Sequence, residues 1–255
     1  MTSEARPCRL APGLLAVMLV GSACARLATA QTHGISIGWQ DCRSGGSAGF
    51  GLQNFGCASN TSAFPLYAGV QLAAAVDSVF SMELVIDVDV AASPLPDWWS
   101  MDGACRALSW TAGTGLPSGC ADVWGGAPAA ATVQGWLPGT PGGSARHARL
   151  LVAAGVLAAA AVTMNANTPY TVCRVALDSR STTMCPAGCT TPACLVFNSL
   201  LIRRLPGSAV EEVLVTDPEV MGANVVVWQP SLGSADCASV PVRRSTWGAV
   251  KALYR

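Results

Sequence analysis

The chain has 255 residues, 51% hydrophobic but only 6% aromatic, with 12% charged residues and a formal net charge of +0. That length holds one β domain with a full core or two small domains. With no basic excess the chain lacks the electrostatic footprint of a nucleic-acid binder, so nucleic acid is not expected as a partner.

The N-terminus reads as an export signal. Arg6 and Arg9 precede the apolar run Leu14 to Gly21, and Ala28-Thr29-Ala30 gives a small-residue cleavage site before Gln31. Residues 1–30 are expected to be a signal peptide and residues 31–255 a single domain that is secreted, periplasmic or at the cell surface. No transmembrane segment is expected after cleavage, because the later apolar run Val152 to Val162 is too short to span.

Ile35 to Trp39 is a short first strand. A Gly- and Ser-rich loop follows, and Cys42 and Cys57 bracket it as an expected pair. Leu66 to Val76 reads as a strand that turns at Asp77-Ser78 into the next one as a hairpin. That next strand, Val79 to Val90, organises the domain. Phe80, Met82, Leu84, Ile86, Val88 and Val90 fall on one side at period two, and Val79, Ser81, Glu83, Val85, Asp87 and Asp89 on the other. A helix would scatter the same apolar groups around its circumference. Pro94 and Pro96 end the strand, Trp98-Trp99 follows, and Cys105 and Cys120 bracket a second expected staple.

Arg146 to Ala154, Tyr170 to Leu177, Leu195 to Ile202, Val213 to Val215 and Asn224 to Gln229 supply further strands. Thr246 is placed to cap a short helix, Trp247 to Tyr254, with Trp247, Val250 and Tyr254 on one face. The expected fold is all-β: an antiparallel β-sandwich of about eight short strands, with disulfide-stapled loops and a short C-terminal helix. The Glu83, Asp87 and Asp89 side of the organising strand is expected to face water.

Of eleven cysteines, Cys8 and Cys24 lie in the signal segment, which leaves nine. Export favours pairing, so Cys42, Cys57, Cys105, Cys120, Cys185, Cys189, Cys194 and Cys237 are assigned to disulfides, with one cysteine of the 185–194 knot reaching Cys237. Cys173 shares a side with Val175 and Leu177 and is assigned as the free thiol, acting as a small hydrophobe.

Three stretches also carry a likeness: LPDWWSM at 95–101, CPAGCTTPACLVFNS at 185–199 and TWGAVKALYR at 246–255. Together they resemble a group of uncharacterised exported bacterial proteins. The resemblance implies bacterial export and transfers no activity.

Four chemistries have residues that could carry them. The spacing of Cys185, Cys189 and Cys194 approaches that of zinc ligands, but His33 and His147 are remote and export favours disulfides. No cofactor is expected; calcium is the alternative, with Glu83, Asp87 and Asp89 as its candidate ligands. For hydrolysis, G-x-S-x-G and H-E-x-x-H are missing, His147 lies between Arg146 and Arg149, and dispersed carboxylates such as Asp41, Asp87 or Asp97 are the remaining route. Trp98 and Trp99, with Asp97, form the candidate ligand platform, against the alternative that both indoles pack in the core.

No catalytic residue is assigned. The expected function is an exported, non-catalytic binding, adhesion or envelope-associated module with a glycan or an envelope protein as its partner. The alternatives are a glycosidase-like exported hydrolase and a structural subunit of a surface assembly.

Overall fold

The apolar runs become two facing sheets. The structure, a computed structural model, describes residues 33–42, 51–58, 62–101, 109–179, 188–233 and 237. All belong to one compact unit, Gln31–Arg255. The expected signal peptide, Cys105, Cys185 and the expected helix Trp247 to Tyr254 lie outside the described residues.

The strands are β1 (Gly34–Trp39), β2 (Leu52–Gln53), β3 (Ala63–Gln71), β4 (Val76–Val90), β5 (Trp110–Gly113), β6 (Ala130–Pro138), β7 (His147–Gly155), β8 (Val162–Met164), β9 (Pro169–Asp178), β10 (Ala193–Arg204), β11 (Glu212–Val215) and β12 (Val225–Trp228). One sheet has the order β1-β3-β9-β5. The larger has the order β2-β12-β10-β4-β7-β6, with β11 also on β10 and β8 also on β4. The pairs are antiparallel except β2 with β12. The all-β sandwich expected from the sequence is the observed architecture, with four more strands than anticipated: β2, β5 and β8 are too short to show a period, and β6 lies in a Gly- and Pro-rich stretch that reads as loop.

The core lies between the sheets. Met82, Leu84, Ile86, Val88 and Val90 of β4 join Leu150 and Val152 of β7, Leu195, Phe197 and Leu200 of β10, and Ile35, Leu66, Val70, Val175 and Leu177 of the smaller sheet. Each such side chain contributes roughly 1.5–3 kcal/mol on burial.

Three expectations are corrected. The expected hairpin does not form, because β3 and β4 lie in different sheets and residues 72–75 carry the chain across. Asp77-Ser78 is a bulge within β4: Ser78 has φ 56, and the register with β8 shifts between Val76 and Val79. The period of β4 also breaks at its start. A second irregularity, opposite Arg203 and Arg204, places Val79 in the core and leaves Phe80 only half-buried. Third, the expected wet face is largely sealed, since Val85, Asp87 and Asp89 are buried.

Candidate functional site

The sealed face is built by register. β4 is central, with β7 on one side and β10 on the other. Directly opposed residues of an antiparallel pair share a face. Asp87 opposes Arg149 and Val196, and Asp89 opposes His147 and Cys194. Val85 opposes Leu151 and Ser199, and Glu83 opposes Leu201. The alternation that sends Ile86 and Val88 inward sends all of these outward, away from the smaller sheet.

Two ion pairs hold the centre. Arg149 Nε donates to Asp87 Oδ1 at 2.6 Å and its terminal nitrogen donates to Oδ2 at 2.9 Å. Asn198 stands in a β10 bulge between Phe197 and Ser199 and donates its amide to Asp87 Oδ2. Arg146 grips Asp89 in the same two-pronged way, at 2.7 and 2.6 Å. His147 Nε2 lies 3.3 Å from Asp89 Oδ1, and its Nδ1 meets the Pro141 carbonyl at 3.1 Å. A planar guanidinium matches a carboxylate through two parallel bonds, which is what lets these charges stay inside. Burial still pushes the Asp87 carboxyl above its ordinary value; the bonds from Arg149 and Asn198 and the nearby positive charge oppose that only in part.

The three carboxylates expected as calcium ligands are each engaged by an arginine. Glu83 is held by Arg203 at 2.6 Å, Asp87 by Arg149 at 2.6 Å and Asp89 by Arg146 at 2.6 Å. Each carboxylate faces its own guanidinium, so the three do not offer free oxygens to one ion. Asp41, Cys42 and Cys120 also cluster, but the two sulfurs are bonded to each other and are not thiolates. Asp87 is likewise closed to a substrate, while Asp41 and Asp97 sit exposed on separate loops.

The tryptophan platform is also corrected. Trp98 and Trp99 are 6% and 0% exposed and belong to the core. They sit in a 3-10 turn, Asp97–Trp99, that closes one end of the sandwich, with Asp97 left exposed. Trp228 is the hub there, with ring centroids 4.5 Å from Phe55, 4.9 Å from Phe64, 5.0 Å from Trp98 and 5.6 Å from Trp99. The indole of Trp99 donates to the Gly188 carbonyl at 3.2 Å and that of Trp228 to the Cys189 carbonyl at 2.6 Å. The cysteine knot therefore supplies the acceptors that buried indoles need.

Disulfides fasten this end from outside. The pairs are Cys42–Cys120, Cys57–Cys189 and Cys194–Cys237, at sequence separations of 78, 132 and 43. The local pairs Cys42–Cys57 and Cys105–Cys120 do not form, since both Cys42 and Cys57 bond across the fold to loops the chain reaches much later. Cys173 is the free cysteine among the described residues; it is buried, and burial pushes its thiol up to about 12.

Sequence reading missed Arg149, Arg146, Asn198 and Gln229. The signal for one of them, Arg149, was present. His147-Ala148-Arg149 repeats the period of Asp87-Val88-Asp89 with the opposite charge, the mark of neighbouring antiparallel strands. Gln229, at φ 53, bonds both the amide and the carbonyl of Phe55, at 3.1 and 2.8 Å, and no local pattern announces it.

Fold and cysteines together define a disulfide-stapled, two-sheet β-sandwich. No protein-family model, curated protein or solved structure matches the chain. Among the described residues no helix is long and apolar enough to cross a membrane.

Proposed function

We propose that the chain works outside the cytosol of a bacterium as a non-catalytic binding, adhesion or envelope-associated module. The observation that carries this reading is the set of three disulfides joining loops far apart in sequence. Such bonds persist in oxidising compartments and suit a chain that must stay folded there. The expected signal peptide and the resemblance to exported bacterial proteins point the same way.

With the tryptophans in the core, recognition moves to the corner fixed by Cys57–Cys189. There Asn54 Oδ1 accepts from the Ser231 amide and hydroxyl at 3.2 and 2.6 Å. Leu52 and Leu232, on either side of that link in sequence, are 60% and 58% exposed. Apolar groups on a rigid, stapled corner suit contact with a glycan face or an envelope protein.

The test incubates residues 31–255, with disulfides intact, with isolated bacterial envelopes and a glycan array. Retention that drops at least ~10-fold in Leu52→Ser/Leu232→Ser, with an unchanged melting temperature, supports the reading (a loss of ~1.4 kcal/mol). Absence of retention on both supports, or retention indifferent to the double substitution, overturns it.

A further inference from the structure

An edge strand offers a row of unpaired N–H and C=O groups to any strand that comes beside it. Folded chains blunt such edges by keeping them short, charging them, bending them or covering them. Among the described residues, most edges of this sandwich are treated in one of these ways. The edge strands β2, β5, β8 and β11 have two, four, three and four residues. The free side of β1 is covered. Its Ile35 and Ile37 amides donate to the Asp217 and Ala223 carbonyls at 2.9 and 2.8 Å, and the Glu219 amide donates to the Ile35 carbonyl at 3.0 Å.

The exception is β6. It ends the larger sheet with nine residues, Ala130–Pro138, and among the described strands it pairs with β7 alone. No residue of it is charged. Its guards stand late in the strand, a bulge at Gln134 and a proline at its end. Ala130, Thr132 and Gln134 are exposed, and Ala131 and Val133 pack on the core but stay only half-buried. The smaller sheet's β5 lies against this flank without a ladder to β6, and its Ala112 is half-buried too. The core is therefore thinly covered here.

The order of residues along this edge fits a second copy of itself. Two strands related by a two-fold axis through Thr132 run antiparallel and keep both cores on the same side of one continuous sheet. Thr132 then opposes Thr132 of the second copy, Ala131 opposes Val133, and Ala130 opposes Gln134. Half-buried apolar groups meet each other, exposed groups meet exposed groups, and no like charges face across the pair. A charged foreign strand would find no opposite charge on β6 to hold it.

We propose that two copies of this chain pair through β6, along Ala130 to Gln134 about Thr132. The corner built on β2 lies at the other end of the same sheet, so this inference is independent of the proposed function. A ladder this short holds weakly, which sets the concentrations needed to see it.

Sedimentation velocity of residues 31–255, disulfides intact, from ~1 μM to ~1 mM should show a reversible monomer–dimer equilibrium. Thr132→Lys sets two like charges opposite each other and should raise the dissociation constant at least ~10-fold at an unchanged melting temperature. Thr132→Cys should give a disulfide-linked dimer under mild oxidation, because directly opposed residues lie within reach of that bond. Thr163→Cys, at an exposed position of β8, should stay monomeric under the same conditions. A monomer at every concentration, which would leave the edge to a foreign strand or to water, overturns the proposal. So does association indifferent to Thr132→Lys, or crosslinking no greater at position 132 than at 163. The cysteine comparison decides the matter by itself if Thr132→Lys unfolds the chain.

Discussion

Asp87 is a carboxylate that folding has placed where a carboxylate is costly. Its guanidinium partner makes that tolerable, and its removal should be felt at once. Arg149→Met leaves a sealed negative charge and should lower the unfolding free energy by about 3–5 kcal/mol, with the Asp87→Asn/Arg149→Met double variant regaining most of it. Urea unfolding followed by fluorescence measures both; a single variant as stable as the parent would remove the pair from the account. The pH dependence has a definite sign. The folded carboxyl sits above its ordinary value of 3.8, so folded chains keep a proton that unfolded chains release. The Asp87 contribution therefore declines as pH climbs from that value, and Asp87→Asn should show a flatter stability profile there. At the same scale, Cys173 is protonated and shielded at neutral pH, so its peptide should stay unlabelled by iodoacetamide until the chain is unfolded. Labelling of the native protein would place that residue outside the core.

At the scale of the element, β4 shows what a sequence announces and what it conceals. Its alternation from Met82 to Val90 predicts a strand and its core face, and both are found. The fate of its other face is not local information. Whether Asp87 is wet depends on which strand lies beside it, and that strand begins at His147. The hairpin expectation fails for a similar reason: Ser78 does adopt a left-handed backbone, but a bulge uses that conformation as readily as a turn. Close approach in the β4–β7 ladder can be probed directly. A Cβ at Gly155 would sit 2.7 Å from the Phe80 carbonyl, which is backbone and cannot swing aside. Gly155→Ala should therefore destabilise the protein by about 1–3 kcal/mol, read as a lower urea midpoint at unchanged slope. Unaltered stability would mean that the ladder yields at this point.

For the whole molecule, the fold class was legible because strand periods and turn residues are written locally; of the disulfide map only the link from the knot to Cys237 and the free Cys173 were, because spacing in sequence carries no record of which loops the two sheets bring together. Between Cys57 and Cys189 the chain runs through all the strands from β3 to β9. The entropic model assigns a loop of that length about 5 kcal/mol, so Cys57→Ser/Cys189→Ser should lose a large share of total stability by calorimetry. The aromatic end it fastens should loosen with it, and a variant with the parent's melting temperature would show that the core alone holds that end.

The order of the bonded cysteines has one more outcome. Cys42–Cys120 and Cys57–Cys189 overlap along the chain, and Cys194–Cys237 encloses the next stretch. A protease that nicks the backbone once anywhere between Cys42 and Cys189, or between Cys194 and Cys237, leaves two fragments that still travel as one molecule. Between Cys42 and Cys237, only the short interval Thr190 to Ala193 falls between these covalent rings, and within that span it is there that a single cut leaves two pieces with no disulfide between them.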